Sequence, residues 1–157
     1  MITVQRILFP TDFSEPSLHA LPHALEFARL FKAKLHVLHI VDEAFQYWLA
    51  AGPNALPVGP SQDEMMAASM RRMEDFIAHH VQPHCTNFQT SVRNGRPFVE
   101  IVHYAEVERV DLIVMGTHGR GGLAHALMGS VAEKVVRKAH CPVLTIRCPD
   151  TTASEKK

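Results

Sequence analysis

The chain has 157 residues, 46% of them apolar and 20% charged, and its sixteen basic side chains are cancelled by sixteen acidic ones. That length suits a single domain with a sizeable core, and the neutral balance gives no electrostatic footing for nucleic acid or an anionic membrane surface. The N-terminus lacks the charged-then-apolar form of a signal peptide, no apolar run reaches bilayer-spanning length, and Cys85, Cys141 and Cys148 have no CxxC spacing, which suits reduced thiols in a cytoplasm.

Residues 4–9 form a short apolar run stopped by Pro10, which predicts a buried strand. Residues 10–14 make the turn after it. Ser14 or Ser17 caps a helix carrying Leu18, Leu21, Leu25 and Ala28 at helical spacing, with Ala24, Phe27 and Phe31 beside them. Pro22 should kink that helix or mark its true first turn. Residues 34–41 are apolar with His36 and His39 intervening, and read as a second strand ended by Asp42. Residues 43–60 hold three prolines and two glycines and form a long connection, with a helical turn around 44–51.

Ser61 and Glu64 have the spacing of a capping box. The helix it opens covers 62–81, with Met66, Met70, Met73 and Ile77 as its core stripe. Phe88, Thr90 and Val92 alternate with polar residues in a third strand. Residues 94–97 form a turn that sets Pro97 at a helix start, with Ile101, Val102, Tyr104 and Ala105 facing inward. Asp111–Met115 is a fourth strand, and glycines at 116, 119, 121, 122 and 129 follow it. Ser130 and Glu133 repeat the capping-box pattern before a helix whose buried face is Val131, Val135 and Ala139. Cys141-Pro142 stops that helix, and Val143–Arg147 is a fifth strand. The domain runs over 1–148, and the polar residues 149–157 are a disordered tail. Strands alternating with helices imply an α/β fold with a parallel sheet covered on both faces, whose ligand sites lie at the carboxyl ends of the strands.

The segment 111–131 carries the chemistry. A strand, a glycine-rich turn and a helix start together suggest an anion site, because glycine lets backbone N–H groups turn toward a ligand and a helix N-terminus adds free donors. It is not a P-loop, since the chain has no Gly-Lys pair, and the dinucleotide fingerprint would follow the first strand rather than the fourth. His79, His80, His84 and Cys85 cluster near the end of the second helix but lack a second ligand pair for zinc, and basic groups there also complement the helix dipole. Tyr47 and Trp48 either cover a bound adenine or pack on the domain.

The spacing Gly116-x2-Gly119-x9-Gly129-Ser130, together with residues 7–14, 36–41 and 139–147, resembles the universal stress protein family, and in particular its ATP-binding branch. The resemblance spans roughly residues 3–148 and is weakest over 43–62. It implies a three-layer sandwich with a five-stranded parallel sheet in the order 3-2-1-4-5, of the adenine-nucleotide alpha-hydrolase-like type. It implies a nucleotide site built from Pro10, Thr11 and Asp12 after the first strand, Val41 at the end of the second, and Met115, Gly116, Gly119, Arg120, Gly129, Ser130 and Val131 around the glycine loop. Asp12 would meet the ribose or phosphates, and Val41 would offer backbone groups to adenine; apart from the resemblance, Asp12 with the phosphates could hold Mg²⁺. Each has a duller role: Asp12 as a turn cap, Ser130 as a helix cap, Arg120 as a solvated charge. The family commonly pairs its last strand, here Val143–Arg147, across a two-fold axis. The expectation is therefore an ATP-binding regulatory or protective homodimer of the stress response. A slow ATPase or phosphotransferase is the alternative, against which stand the missing Walker lysine and the lack of an evident general base. A nucleotide-free dimeric interaction protein is the third reading.

Overall fold

The structure, a computed structural model, describes residues 3–42, 60–118 and 128–148. Its elements run β1 (Arg6–Pro10), α1 (Glu15–Phe31), β2 (Lys34–Asp42), α2 (Gln62–Phe76), β3 (Phe88–Gly95), α3 (Pro97–Val107), β4 (Leu112–Gly116), α4 (Ser130–Lys138) and β5 (Val143–Ile146). The five strands form one sheet in the order β3-β2-β1-β4-β5, with every neighbouring pair parallel. The parallel sheet is the one expected from the alternation of strands and helices, and its strand order is the one the family resemblance implied. No helix among the described residues is long and apolar enough to cross a membrane.

Because side chains alternate across a strand, each central strand feeds two cores. Ile7, Phe9, Leu35, Val37 and Val114 pack against α1 and α2, through Ala20, Ala24, Met73 and Phe76. Leu8, Leu38, Ile113 and Met115 pack against α3 and α4, through Ile101, Tyr104, Ala105 and Val135. Apolar runs without a polar face are what a sheet covered on both sides requires.

Local details agree with the sequence reading at some points and depart from it at others. Ser14 is the cap of α1, receiving the Ser17 N–H on its hydroxyl, with Pro16 in the first turn. Pro22 is not a first turn; it lies inside the helix on the exposed face, where the Leu18 carbonyl that loses its donor can turn to water. The capping box of α2 is present in both directions, Glu64 N–H to Ser61 Oγ at 3.2 Å and Ser61 N–H to Glu64 Oε2 at 2.7 Å. Beyond Phe76 the expected helix continues to Val81 as a π turn. The methionine stripe is only partly core. Met73 is buried but Met70 is 52% exposed, because the buried positions of α2 lie in its second half, at Met73 and Phe76. β3 keeps its register with β2 as far as Asp42↔Gly95, so residues 94–95 belong to the strand rather than to a turn. Val102 is half-buried, while Tyr104 is almost wholly enclosed.

The second capping box is absent. Gly129 is the cap residue of α4, Ser130 is its first helical residue, and no side chain caps the helix. The helix starts one residue early because the Gly129 N–H is held by the Thr117 carbonyl at 2.7 Å, and the Gly129 carbonyl takes the first helical bond from Glu133 N–H. Its buried face is Ala132 and Val135, with Val131 and Ala139 half-buried. The helical turn expected around 44–51 and the tail at 149–157 lie outside the described residues.

Candidate functional site

The order β3-β2-β1-β4-β5 places the reversal of strand order between β1 and β4. In an open parallel sheet the connections after two such strands diverge to opposite faces, and a crevice opens between them. β1 leads into that crevice through Thr11–Ser14. The Thr11 N–H donates to the Leu38 carbonyl at 2.8 Å. The buried Thr11 hydroxyl oxygen accepts from the Phe13 N–H at 3.0 Å and from the Ser17 hydroxyl at 2.7 Å. Asp12 Oδ1 accepts from the Ser14 N–H at 3.0 Å and from the Ser14 hydroxyl. One carboxylate oxygen therefore performs the turn-capping role natural to Asp at this position. Phe13 has φ 60°, a left-handed backbone that costs a non-glycine residue about 1 kcal/mol.

β4 ends against the same turn. A Cβ on Gly116 would stand 2.9 Å from the Pro16 carbonyl oxygen in the first turn of α1, and a Cβ on Gly129 would stand 3.0 Å from the Thr117 carbonyl oxygen. Gly116 is thus required by backbone approaching backbone within the fold, a reason independent of any ligand, while a side chain at Gly129 would press on the Thr117 carbonyl. Thr117 ties the neighbourhood together. Its N–H donates to the Ile146 carbonyl of β5, its carbonyl accepts from Gly129, and its hydroxyl meets His118 Nδ1 at 2.9 Å. The chain of contacts Asp12 turn, Pro16, Gly116, Thr117, Gly129 sets the N-terminus of α4 beside the end of β1. There the first-turn N–H groups of Ser130, Val131 and Ala132 have no earlier helical carbonyl to bond, and the helix dipole adds partial positive charge. Ser130 is exposed and Val131 half-buried. Pro10 and Met115 are buried, and Met115 belongs to the core under α3 and α4. Gly119 and Arg120 lie outside the described residues, as do Tyr47 and Trp48.

The end of β2 supplies the third wall. Pairing with β1 stops at Pro10↔Leu38, whereas pairing with β3 continues to Asp42↔Gly95, so residues 39–42 overhang β1. Backbone groups alternate in direction along a strand. The Lys34 N–H donates to Gln5 and the Leu38 carbonyl accepts from Thr11, on the β1 side, while the Leu35 N–H donates to Asn87, on the β3 side. The alternation directs the backbone of Ile40 toward the overhang and that of Val41 toward β3. Ile40 is therefore the residue whose N–H and carbonyl face the crevice, whereas those of Val41, the residue expected to offer backbone groups to adenine, face β3. No periodicity in the sequence distinguishes the two; only the register does.

Among the described residues no group of three or more His, Cys, Asp or Glu side chains is arranged to hold a metal ion. A separate open cleft of about 250 Å³, lined by residues including Arg29, Lys32, His84 and Cys85, lies between the end of α1 and the approach to β3, at the opposite end of the strands. It shares no residue with the crevice.

Comparison with known proteins places these features in context. A model of the universal stress protein family matches residues 3–147. The universal stress protein MJ0531 of Methanocaldococcus jannaschii is 34% identical over 145 residues, covering 92% of this chain and 83% of the relative. The solved structure of MJ0577, a universal stress protein of the same organism, superposes with a TM-score of 0.80 at 31% identity, covering 96% of this chain and all of that one. A universal stress protein solved in complex with cAMP superposes with a TM-score of 0.61 at 25% identity, covering 92% and 97%.

Proposed function

The chain belongs to the universal stress protein family, and from that premise we propose that it binds ATP in the crevice between β1 and β4 and works as a nucleotide-dependent regulatory or protective homodimer in the stress response. The observation that carries this reading is the juxtaposition of the α4 N-terminus with the Asp12 turn, held by Pro16, Gly116, Thr117 and Gly129. A helix N-terminus at a switch point offers backbone donors to phosphate oxygens without needing a lysine. The overhanging edge of β2 offers a donor and an acceptor on one residue, Ile40, which suits the paired acceptor and donor on the edge of adenine. Support also comes from the relative whose structure contains cAMP, an adenine nucleotide. Gly119, Arg120 and Val131 complete the phosphate side in this reading, and Mg²⁺, brought by the phosphates, would take Asp12 as its protein contact.

The test is to denature purified protein and resolve the released small molecules. ATP or ADP in near-stoichiometric amount is expected, and added ATP should raise the melting temperature of stripped protein. No released nucleotide and no thermal shift would remove the proposal. Incubation with labelled ATP and Mg²⁺ then separates a switch, which returns intact ATP, from a slow ATPase or phosphotransferase.

A further inference from the structure

The Asp12 carboxylate can serve a ligand only if the turn around it is held still, and a single side chain touches both of its neighbours. His39 lies on β2 immediately beyond Leu38, where backbone pairing with β1 has ended. It is 5% exposed. Its Nδ1 lies 2.8 Å from the Thr11 carbonyl oxygen, the residue before Asp12. A carbonyl can only accept, so Nδ1 carries the proton and donates it. The same ring lies tilted against Phe13, the residue after Asp12, with centroids 4.3 Å apart and planes 33° from parallel. Phe13 is the residue with left-handed φ, and its ring is also met by Phe76 at 5.4 Å and by the Arg72 guanidinium at 5.0 Å.

We infer that His39 is a positioning residue that clamps the turn on both sides of Asp12 and so fixes where the carboxylate stands for a bound nucleotide. Burying an imidazole is costly unless it is bonded, and here Nδ1 makes that bond. The bond it makes takes over from the sheet: one residue past the last backbone pairing, a side chain secures the carbonyl that the ladder no longer reaches. The strained Phe13 backbone needs such over-determination to persist. This role rests on the nucleotide reading above, but the clamp itself exists in the ligand-free protein and can be read there.

The experiment uses the full chain with His39→Phe, which keeps a ring against Phe13 and removes the donor, and His39→Asn, whose amide N–H restores a donor near the place of Nδ1. ATP affinity is measured by calorimetry, and the backbone amide resonances of Asp12, Phe13 and Ser14 are followed without nucleotide. His39→Phe is expected to weaken ATP binding about tenfold, the equivalent of one buried hydrogen bond, and to move all three resonances. His39→Asn is expected to recover most of the affinity, which a side chain serving only as core filler would not do. Wild-type affinity in folded His39→Phe, or a folded His39→Asn no better than His39→Phe, overturns the inference. Should His39→Phe fail to fold, Phe13→Leu decides, since it removes the ring contact and leaves the buried bond. Weakened ATP binding with a shifted Asp12 amide then supports the clamp, and unchanged values for both overturn it. A wild-type protein that binds no nucleotide overturns the proposed function instead, and the ligand-free resonances still judge the clamp.

Discussion

At the scale of single residues, Gly116 and His36 make separable demands. Gly116 is fixed by the Pro16 carbonyl oxygen, which cannot yield as a flexible side chain would. Gly116→Ala is therefore expected to destabilise the fold by about 1–3 kcal/mol, read from urea unfolding, whether or not nucleotide is present. Unchanged stability would mean that the glycine serves the ligand alone. His36 is 2% exposed, its Nδ1 lies 3.0 Å from the Tyr104 hydroxyl, and its Nε2 has no hydrogen-bond partner among the described residues. Burial, the largest influence, holds its pKa below the ordinary histidine value, outweighing the attraction of Glu108. The folded protein thus keeps this ring neutral where the unfolded chain would protonate it. Stability is expected to be full above about pH 6.5 and to decline as the pH falls below it toward the lowered folded value. His36→Phe should flatten that part of the stability–pH curve, measured by denaturant titration between about pH 5 and 8; a slope equal to wild type would assign the acid sensitivity elsewhere.

Elements show how two identical-looking motifs differ. Ser61-x-x-Glu64 and Ser130-x-x-Glu133 have the same spacing, yet only the first is a capping box. The difference lies in a contact remote in sequence, the Thr117 carbonyl that seizes Gly129 and starts α4 early. Ser61→Ala should consequently cost about 1 kcal/mol in thermal or urea unfolding. Ser130→Ala should stay within about 0.5 kcal/mol of wild type while weakening ATP, because its hydroxyl is exposed and makes no cap, and the proposed site gives it to the ligand. Equal losses of stability in the two variants would contradict this assignment. Similar reasoning explains the shift from Val41 to Ile40. Strand β2 was legible as an apolar run, but which backbone groups face the crevice depends on register with β1, and register is a property of two segments at once.

For the whole molecule the open question is the sheet edge. Among the described residues β5 has one strand neighbour, β4. The Pro142 and Ile146 carbonyls accept bonds from the β4 side, so alternation sends the Thr145 N–H to the outer edge. The proposed homodimer pairs this edge, which would otherwise invite uncontrolled strand addition. Thr145→Pro removes that outward donor without removing a bond to β4. It is expected to yield a folded monomer by sedimentation velocity and circular dichroism; a dimer as tight as wild type would place the interface on another surface. Among the described residues, the order and type of the elements and the parallel α/β class were legible in the sequence, because apolar period, proline and glycine are local signals. Even His39 was visible as a polar interruption of β2, though not as a partner of Thr11 and Phe13. What the folded chain added is that Gly116 and Gly129 lie against neighbouring carbonyls, that Gly129 rather than Ser130 caps α4, and that Ile40 faces the crevice. Each of those depends on atoms brought together from distant parts of the chain, and no local pattern encodes such a meeting.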